Sequence, residues 1–179
     1  MKAYLETQRI IFVNFEKEDH VLIKELDSDP EVVKYISNGI PSDDQEVSRA
    51  INIFLTLNEK YNQSLGFWKA INKETNQFMG WFHFRPLKSN LDDLENIELG
   101  YRLKKKFWGK GYATEGSIAL IEKARLNLNI KKIWAHAMLK NTASINVMQK
   151  IGLTHDYDDI YEQWPGEDKR CVWYSLNLE

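Results

Sequence analysis

The sequence contains a single cysteine, Cys171, among its 179 residues. One cysteine cannot form an intramolecular disulfide, and no Cys/His spacing fits a structural zinc site. The chain also lacks an apolar run near the ~20 residues that a membrane helix needs, and its first residues (MKAYLET) lack the pattern of a signal peptide. We therefore expect a cytoplasmic protein that holds no metal and does not enter a membrane.

A strong charge of either sign is also missing. The chain has 24 basic and 26 acidic residues, which gives a formal net charge of −2 and a pI of about 6.1. Such a balance creates no overall attraction for nucleic acid or for an anionic membrane. The length is close to the usual size of one domain, and we expect a single domain that spans residues 1–179.

The first third of the chain predicts one strand followed by helices. Residues 9–15 (RIIFVNF) are rich in β-branched and aromatic side chains, which is typical of a strand. Apolar side chains then recur at helical spacing. They predict a short helix at residues 21–26, a second from Pro30 to Ile36, and a longer one from about residue 43 to residue 58 or 61.

Beyond residue 66 the pattern changes to strands interrupted by helices. This order predicts a mixed α/β (α+β) fold, with a central, mixed but mostly antiparallel sheet of about seven strands flanked by helices. The predicted elements are strands at residues 67–72, 78–84 and 96–103, a helix at about 114–128, a strand at 132–137, a helix at about 142–151, and strands near 154–157 and 171–178.

A glycine turn follows the strand at residues 96–103. Gly109 and Gly111 stand directly before a predicted helix. Glycine permits positive φ and close approach of a ligand, so successive N–H groups can converge on an anion, and the helix N-terminus adds its dipole. The lysines that bring positive charge to this turn are Lys104, Lys105, Lys106 and Lys110. The turn therefore predicts phosphate or pyrophosphate binding, the alternative being a solvated glycine turn.

Ordinary nucleotide-binding motifs fit this turn poorly. It lacks the GxxxxGK[ST] pattern, and a GxGxxG motif would need a parallel sheet and an acidic residue on the next strand. Taken in order, however, five segments of the chain resemble the GNAT superfamily of acyl-CoA N-acyltransferases, and within it the ribosomal-protein N-terminal acetyltransferase (Rim-like) branch. The segments are residues 5–9 (LETQR), 27–32 (DSDPEV), 66–68 (GFW), 98–113 (ELGYRLKKKFWGKGYA), and 141–144 (NTAS) with 150–153 (KIGL).

The resemblance implies an N-acetyltransferase that moves the acetyl group of acetyl-CoA to a primary amine by direct attack in a ternary complex, without a metal. It implies that the strand before the turn splays from its neighbour and offers backbone groups to pantetheine, while the turn holds the pyrophosphate. The implied acetyl-CoA contacts are Leu99, Tyr101, Leu103, Lys106, Trp108, Gly109, Lys110, Gly111, Tyr112, Ala113, Asn141 and Ser144.

Two residues are predicted to be catalytic. An amine with a pKa of ~7.7–8.0 (α-amino) or ~10.4 (lysine) must lose a proton before it attacks, and Glu98 is the predicted general base, directly or through water. The alternative for Glu98 is a surface carboxylate. Ser144 is the nearest candidate acid for the leaving thiolate, because Met148 stands where many superfamily members carry a tyrosine. Lys106 likewise replaces their usual Arg or Gln.

Other polar residues near these segments have ordinary structural interpretations. Asn141 is a strong helix N-cap as well as an implied pantetheine contact. His83 and His136 lie on predicted strands, where a lone histidine is more often a packed residue than a catalytic one.

The acceptor is a small-molecule or peptide amine in this interpretation. The resemblance implies that the acceptor site is lined by the helices between about residues 19 and 61 and by an acidic loop at 156–159 (DYDD). Two alternatives stay open: a catalytically silent GNAT-fold protein that binds CoA as a sensor or scaffold, and an RNA-binding module that uses the lysine clusters. The acidic pI disfavours RNA. The sequence leaves both a monomer and a homodimer open.

Overall fold

One eight-stranded sheet runs through the computed structural model, which describes residues 3–127 and 129–178. The strands are β1 (Ala3–Glu6), β2 (Ile10–Asn14), β3 (Gly66–Asn72), β4 (Phe78–Pro86), β5 (Asn96–Leu103), β6 (Lys132–Met138), β7 (Thr154–Ile160) and β8 (Arg170–Asn177). The helices are α1 (His20–Asp27), α2 (Asp44–Lys60), α3 (Tyr112–Asn127) and α4 (Thr142–Lys150).

The strand order across the sheet is β1-β2-β3-β4-β5-β6-β8-β7. All neighbouring pairs are antiparallel except β5 and β6, which are parallel. A parallel pair needs a crossover connection, and α3 supplies it. The predicted mixed, mostly antiparallel sheet is confirmed, with eight strands instead of about seven because the four residues of β1 form a strand of their own.

The parallel pair separates soon after it forms. Its register covers only Asn96–Glu98 on β5 and Lys132–Trp134 on β6. From there β5 continues to Leu103 while it stays paired with β4, and β6 continues to Met138 while it stays paired with β8. The sheet is therefore split between these two strands, and the split forms the walls of a cleft.

Helices cover both faces of the sheet. On one face α1 contacts β4 and α2 contacts β3, where Phe54 stacks on Phe67 with ring centroids 3.9 Å apart. On the other face α3 contacts β4 and β5, and α4 contacts β6. A capping box starts α2, since Asp43 Oδ1 accepts from the backbone N–H of Glu46 and Glu46 Oε2 accepts from that of Asp43.

The predicted helix from Pro30 to Ile36 is wrong. The segment is a series of turns that closes on the backbone oxygen of Val33, which accepts from the N–H groups of Ile36, Ser37 and Gly39. Asn38 and Gly39 take positive φ values of 55° and 78°, which ends any helical course. These turns lie at the mouth of the cleft, where Tyr35 and Ile36 form part of its wall.

The end of one strand also differs from the prediction, and one predicted helix end cannot be compared. β7 continues to Ile160, so residues 156–159 are part of an edge strand, and the prediction of an acidic loop there is wrong. Leu128, the predicted end of the helix at about 114–128, lies outside the described residues. Within the described chain, no helix combines the length and the apolar character that crossing a membrane requires.

Candidate functional site

A cleft of about 830 Å³ opens at the split between β5 and β6. Its floor comes from β4, β5 and β6, and its walls come from α1, α2, α4 and the turns after α1. Five residues that the sequence predicts for the site line this one cleft: Glu98, Leu99, Tyr101, Asn141 and Ser144.

Alternation along β5 assigns the two sides of the cleft. Arg102 pairs with Asp27 of α1, with Nη1 2.5 Å from Oδ1, so Glu98 and Arg102 share the face covered by α1 and α2. Tyr101 points to the opposite face, where its hydroxyl lies 3.5 Å from Oγ of Ser144 on α4. β5 therefore presents charged side chains to one side and Tyr101, which lies beside the predicted thiolate acid Ser144, to the other.

Glu98 is buried, with only 5% of its surface exposed, so the alternative of a surface carboxylate is wrong. Its Oε2 accepts a hydrogen bond from Nη2 of Arg85 at 2.9 Å, and its Oε1 lies 3.4 Å from Nδ1 of His136 and 3.6 Å from Nε2 of His83. Burial alone raises the pKa of Glu98, but its contacts with His136 and His83 and the charge of Arg85 outweigh burial and lower that pKa well below 4.5. Glu98 is a fixed anion at neutral pH.

His83 is the buried neighbour of Glu98. Burial lowers the pKa of His83 to about 4, so the ring is neutral at pH 7. The ring packs flat against Gly100, where a Cβ atom would lie 2.5 Å from Cε1 of His83. Neither ring nitrogen has a hydrogen-bond partner among the described residues. Glycine at position 100 therefore fixes where His83 lies.

His136 is the more accessible histidine, with 32% of its side chain exposed. Its ring stacks on Trp173 of β8, with centroids 4.5 Å apart, and it lines the cleft. From the sequence, His83 and His136 are expected to be ordinary packed residues, yet both contact the buried carboxylate. The signal that could have revealed them is alternation, which puts His83, Arg85 and His136 at positions of one face on strands that are otherwise apolar and aromatic.

On the opposite face α4 carries the remaining predicted contacts. Oδ1 of Asn141 accepts from the backbone N–H of Ser144 at 3.2 Å, so Asn141 is the N-cap of α4. This cap orients the first turn of α4, which places the Ser144 hydroxyl beside Tyr101. Met148 is buried and also lines the cleft.

The glycine turn follows β5 after a short 3-10 turn at Lys105–Phe107. Gly109 and Gly111 have φ values of 71° and 81°, and no atom lies within 4 Å of the position that a Cβ of Gly109 would take. Trp108 closes the turn onto β5, since its Nε1 donates to the backbone oxygen of Leu103 at 2.7 Å. Helix α3 starts at Tyr112 and runs on through Ala113. The geometry is that of an open anion cradle at a helix N-terminus.

The lysine side chains near the turn have partners of their own. Lys104 pairs with Glu25 at 2.7 Å, and Lys105 lies 3.8 Å from Glu31. The Nζ atom of Lys106 donates to Oε1 of Gln77 at 2.8 Å, and the Lys106 side chain is on the surface. The backbone oxygen of Lys110 accepts from Nη1 of Arg9 at 3.0 Å.

Arg9 is a support for the turn that the sequence did not reveal. Its Nε lies 2.6 Å from Oε2 of Glu115 in α3, and Thr7 donates to the other oxygen of Glu115 at 2.5 Å. Burial raises the pKa of Glu115, but hydrogen bonds from Thr7 and Arg9 outweigh it and lower that pKa below 4.5. The guanidinium also lies over the ring of Tyr112, 4.3 Å from its centroid. Thr7 and Arg9 thus tie the entry of β2 to the turn and to α3.

The acidic residues of β7 do not line the cleft. Asp156 bonds to Lys132 and Ser175 instead, and the residue of this region that reaches the cleft is Tyr161. No cluster of His, Cys, Asp or Glu among the described residues is arranged to hold a metal ion.

Comparison with known proteins decides the family. The model of the acetyltransferase (GNAT) domain family matches residues 9–154. The chain belongs to the GNAT acetyltransferase family. As a GNAT protein it is an acyltransferase, and the predicted GNAT fold is confirmed.

Two relatives cover most of this GNAT chain. It is 30% identical over 183 residues to the FsC-acetyl coenzyme A-N(2)-transacetylase of Aspergillus fumigatus. That alignment covers 98% of this chain and 76% of the relative. It is 35% identical over 162 residues to an uncharacterized N-acetyltransferase of Bacillus licheniformis, which covers 86% of each chain.

A solved structure of a Rim-type enzyme is also similar. The ribosomal alpha-N-protein acetyltransferase RimL, solved in complex with coenzyme A, has a TM-score of 0.82 at 12% identity, with 99% of this chain and 98% of that one covered. At this identity the similarity is one of fold. Membership of the Rim-like branch stays a prediction.

Proposed function

We propose that this GNAT protein transfers the acetyl group of acetyl-CoA to the α-amine of a small molecule or a peptide, by direct attack in a ternary complex. The observation that carries the proposal is the split of the sheet at Glu98 and Trp134, which leads along β5 to the glycine turn. The five residues from Leu99 to Leu103 extend roughly 16 Å at the usual strand rise. That path joins a buried carboxylate to an anion cradle.

The residues along this path fit acetyl-CoA. The backbone N–H groups at Gly109 and Gly111, with the first turn of α3, would hold the pyrophosphate, and Lys106 and Lys110 would add positive charge. Trp108, Tyr112 and Ala113 would border the same cradle. Leu99, Tyr101 and Leu103 would offer backbone groups to the pantetheine arm, with Asn141 and Ser144 on its other side.

Glu98 and Ser144 serve two different proton transfers, one from the amine and one to the thiolate. Glu98 is the anion that supports removal of the proton from the attacking amine. Its pKa lies well below 4.5, so it is too weak a base to be the direct acceptor, and a group beside it takes the proton. Ser144, beside Tyr101, is the candidate donor to the departing thiolate. A thiol has an ordinary pKa of ~8.5, so the thiolate needs little help to leave.

An α-amine suits this site better than a lysine side chain. An α-amino group has a pKa of ~7.7–8.0 and gives up its proton far more readily than a side-chain amine near 10.4. The name of the Aspergillus relative, an N(2)-transacetylase, supports the same position of transfer. The apolar wall near the mouth, formed by Tyr35, Ile36, Ile53 and Leu91, suits an acceptor with an apolar body.

The test uses two amines made of the same atoms. Lysine amide acetylated on the side chain presents only an α-amine, and lysine amide acetylated on the α nitrogen presents only a side-chain amine; spermidine serves as a third acceptor. Thiol release from acetyl-CoA should be at least tenfold faster with the free α-amine, and calorimetry should detect CoA binding. Binding without thiol release from any of the three would favour a silent CoA sensor instead.

A further inference from the structure

We propose that His136 is the group that takes the proton from the acceptor amine, with Glu98 behind it as the anion that orients the ring and stabilises its charged form. The inference rests on the proposed function and assigns a catalytic role to a residue outside the predicted set. His136 lies two residues beyond the last pairing of β6 with β5, where the two strands have separated.

Geometry gives His136 its orientation. Nδ1 of the ring faces Oε1 of Glu98 at 3.4 Å, and the stack on Trp173 holds the ring plane. Since an anionic carboxylate accepts and cannot donate, the favoured tautomer carries its proton on Nδ1. Nε2 is then the free nitrogen with a lone pair, on the opposite side of the ring. The described residues provide no hydrogen bond to Nε2, and the ring lines the cleft.

The surroundings of the His136 ring place one anion in contact with it. Glu98 on β5 is the nearest charge, and Arg85 on β4 lies on the far side of that carboxylate, bonded to its other oxygen. His83 on β4 is neutral at pH 7. On the remaining sides the ring meets Trp173 of β8 and Tyr161, whose ring centroid is 6.2 Å away. An imidazolium at position 136 would therefore be compensated by Glu98.

His83 fits the role less well, although it also contacts Glu98. Its ring also borders the cleft, but both ring nitrogens are buried and the ring packs against Gly100, so they have little access to an amine there. Its pKa of about 4 also makes it a weak base. Of the groups around Glu98, His136 combines contact with the carboxylate and access to the cleft.

The proposed step balances as follows. The amine enters as R–NH3⁺ and loses one proton to Nε2 of His136. Its freed lone pair forms the N–C bond with the thioester carbonyl carbon, and the C–S bond breaks with its electron pair going to sulfur. A second N–H proton goes to the thiolate, by way of Ser144, which yields the amide and the free thiol. His136 returns its proton to solvent.

The kinetic test follows kcat/KM against pH for the wild type, His136→Gln and the control His155→Gln, an exposed histidine on β7. The acceptor is the fastest of the three amines named above. We expect His136→Gln to lower kcat by about 100-fold or more and to remove the decline on the acid side, with the KM for acetyl-CoA little changed. His155→Gln should match the wild type.

A second readout does not depend on turnover. Long-range ¹H–¹⁵N spectra of the free protein report which nitrogen of neutral His136 carries the proton. We expect Nδ1–H in the wild type and a mixture of tautomers in Glu98→Gln.

Either of two results would overturn the inference: a His136→Gln enzyme within threefold of the wild type with its acid-side decline intact, or an Nε2–H tautomer in the wild type. Absence of thiol release by the wild type with all three amines would instead remove the proposed function, and the inference with it.

Discussion

The side chain of Asn58 is hydrogen-bonded to both backbone polar groups of Phe67. Its Nδ2 donates to the Phe67 carbonyl oxygen at 2.8 Å, and its Oδ1 accepts from the Phe67 N–H at 2.7 Å. The side chain thus acts as a one-residue strand partner that ties α2 to the start of β3. Gly66 has to be glycine beside it, because a Cβ there would lie 2.0 Å from Oδ1 of Asn58.

Replacement of Asn58 by leucine should destabilise the protein by roughly 3 kcal/mol. The change leaves two buried backbone groups of Phe67 without partners, and each carries a desolvation cost. Urea unfolding measures the change in the free energy of unfolding. The matched control is Asn52→Leu on the exposed side of the same helix, which should stay within about 0.5 kcal/mol of the wild type. Equal effects of the two substitutions would contradict the role given to Asn58.

The stability of the protein should fall between pH 7 and pH 5 because of His83. The unfolded chain binds a proton at this residue below pH ~6.5, whereas the folded chain does so only below about 4. The stability due to neutral His83 is therefore complete above pH ~6.5 and is lost as the pH falls toward 4. At pH 5 the loss should be roughly 2 kcal/mol.

The measurement compares urea unfolding at the two pH values in the wild type, His83→Gln and His155→Gln. The first variant should show a smaller drop than the wild type, and the second should show the same drop. Direct titration of the His83 ring by NMR gives the midpoint independently, and a midpoint near 6.5 would show that burial does not act as argued.

Alanine at Gly109 should weaken CoA binding more than it weakens the fold. A φ of 71° costs a residue with a Cβ about 1–2 kcal/mol, and the new methyl group would stand where the phosphates approach the turn. Gly152 is the matched control, since its φ is 89° and its Cβ position is equally open, but it follows α4 and is remote from the turn in sequence. Both variants should lose similar stability, and Gly109→Ala alone should raise the CoA Kd, by about tenfold or more. A similar Kd in both variants would argue against the cradle.

Loss of the Arg9 guanidinium should make the same glycine turn less rigid, because Arg9 holds the turn from the side of β2. In Arg9→Met the backbone oxygen of Lys110 and Oε2 of Glu115 both lose the guanidinium, while Oε1 of Glu115 keeps its hydrogen bonds from the Thr7 hydroxyl and the Arg9 backbone N–H. The CoA Kd should rise about fivefold. Arg9→Lys keeps the charge but not the fork that reaches both groups, so it should resemble Arg9→Met if positioning is the cause. Recovery of wild-type affinity in Arg9→Lys would assign the effect to charge alone.

The sequence predicted the elements of the sheet better than the environment of Glu98. Strands β3, β4 and β5 could be predicted from their alternating pattern and aromatic content, and the turn from its glycines, because these signals are local in the sequence. The burial of Glu98 depends on sheet register, which puts Arg85 opposite Glu98 and brings β6 alongside from the far end of α3. Nothing local to residues 96–103 encodes those partners.

For the segment after Pro30, a local pattern predicted a helix that the structure does not contain. Val32, Val33 and Ile36 recur at helical spacing, yet the chain forms turns in which Val32 and Val33 are buried and Ile36 is exposed. Periodicity over seven residues is too short to separate a helix from a run of turns that buries the same side chains.

The split between β5 and β6 also gives the sheet an edge in its interior. Sheet edges invite pairing with other chains, and proteins commonly guard them with charge. The outer edge strand β7 follows that rule, with three aspartates and a histidine. On the inner edge, the residues from Leu99 to Arg102 line the cleft, and their protection is enclosure by the cleft walls. Substitutions that widen the cleft should therefore promote aggregation as well as slow transfer. Coenzyme A, which we propose lies along that edge, should suppress the aggregation.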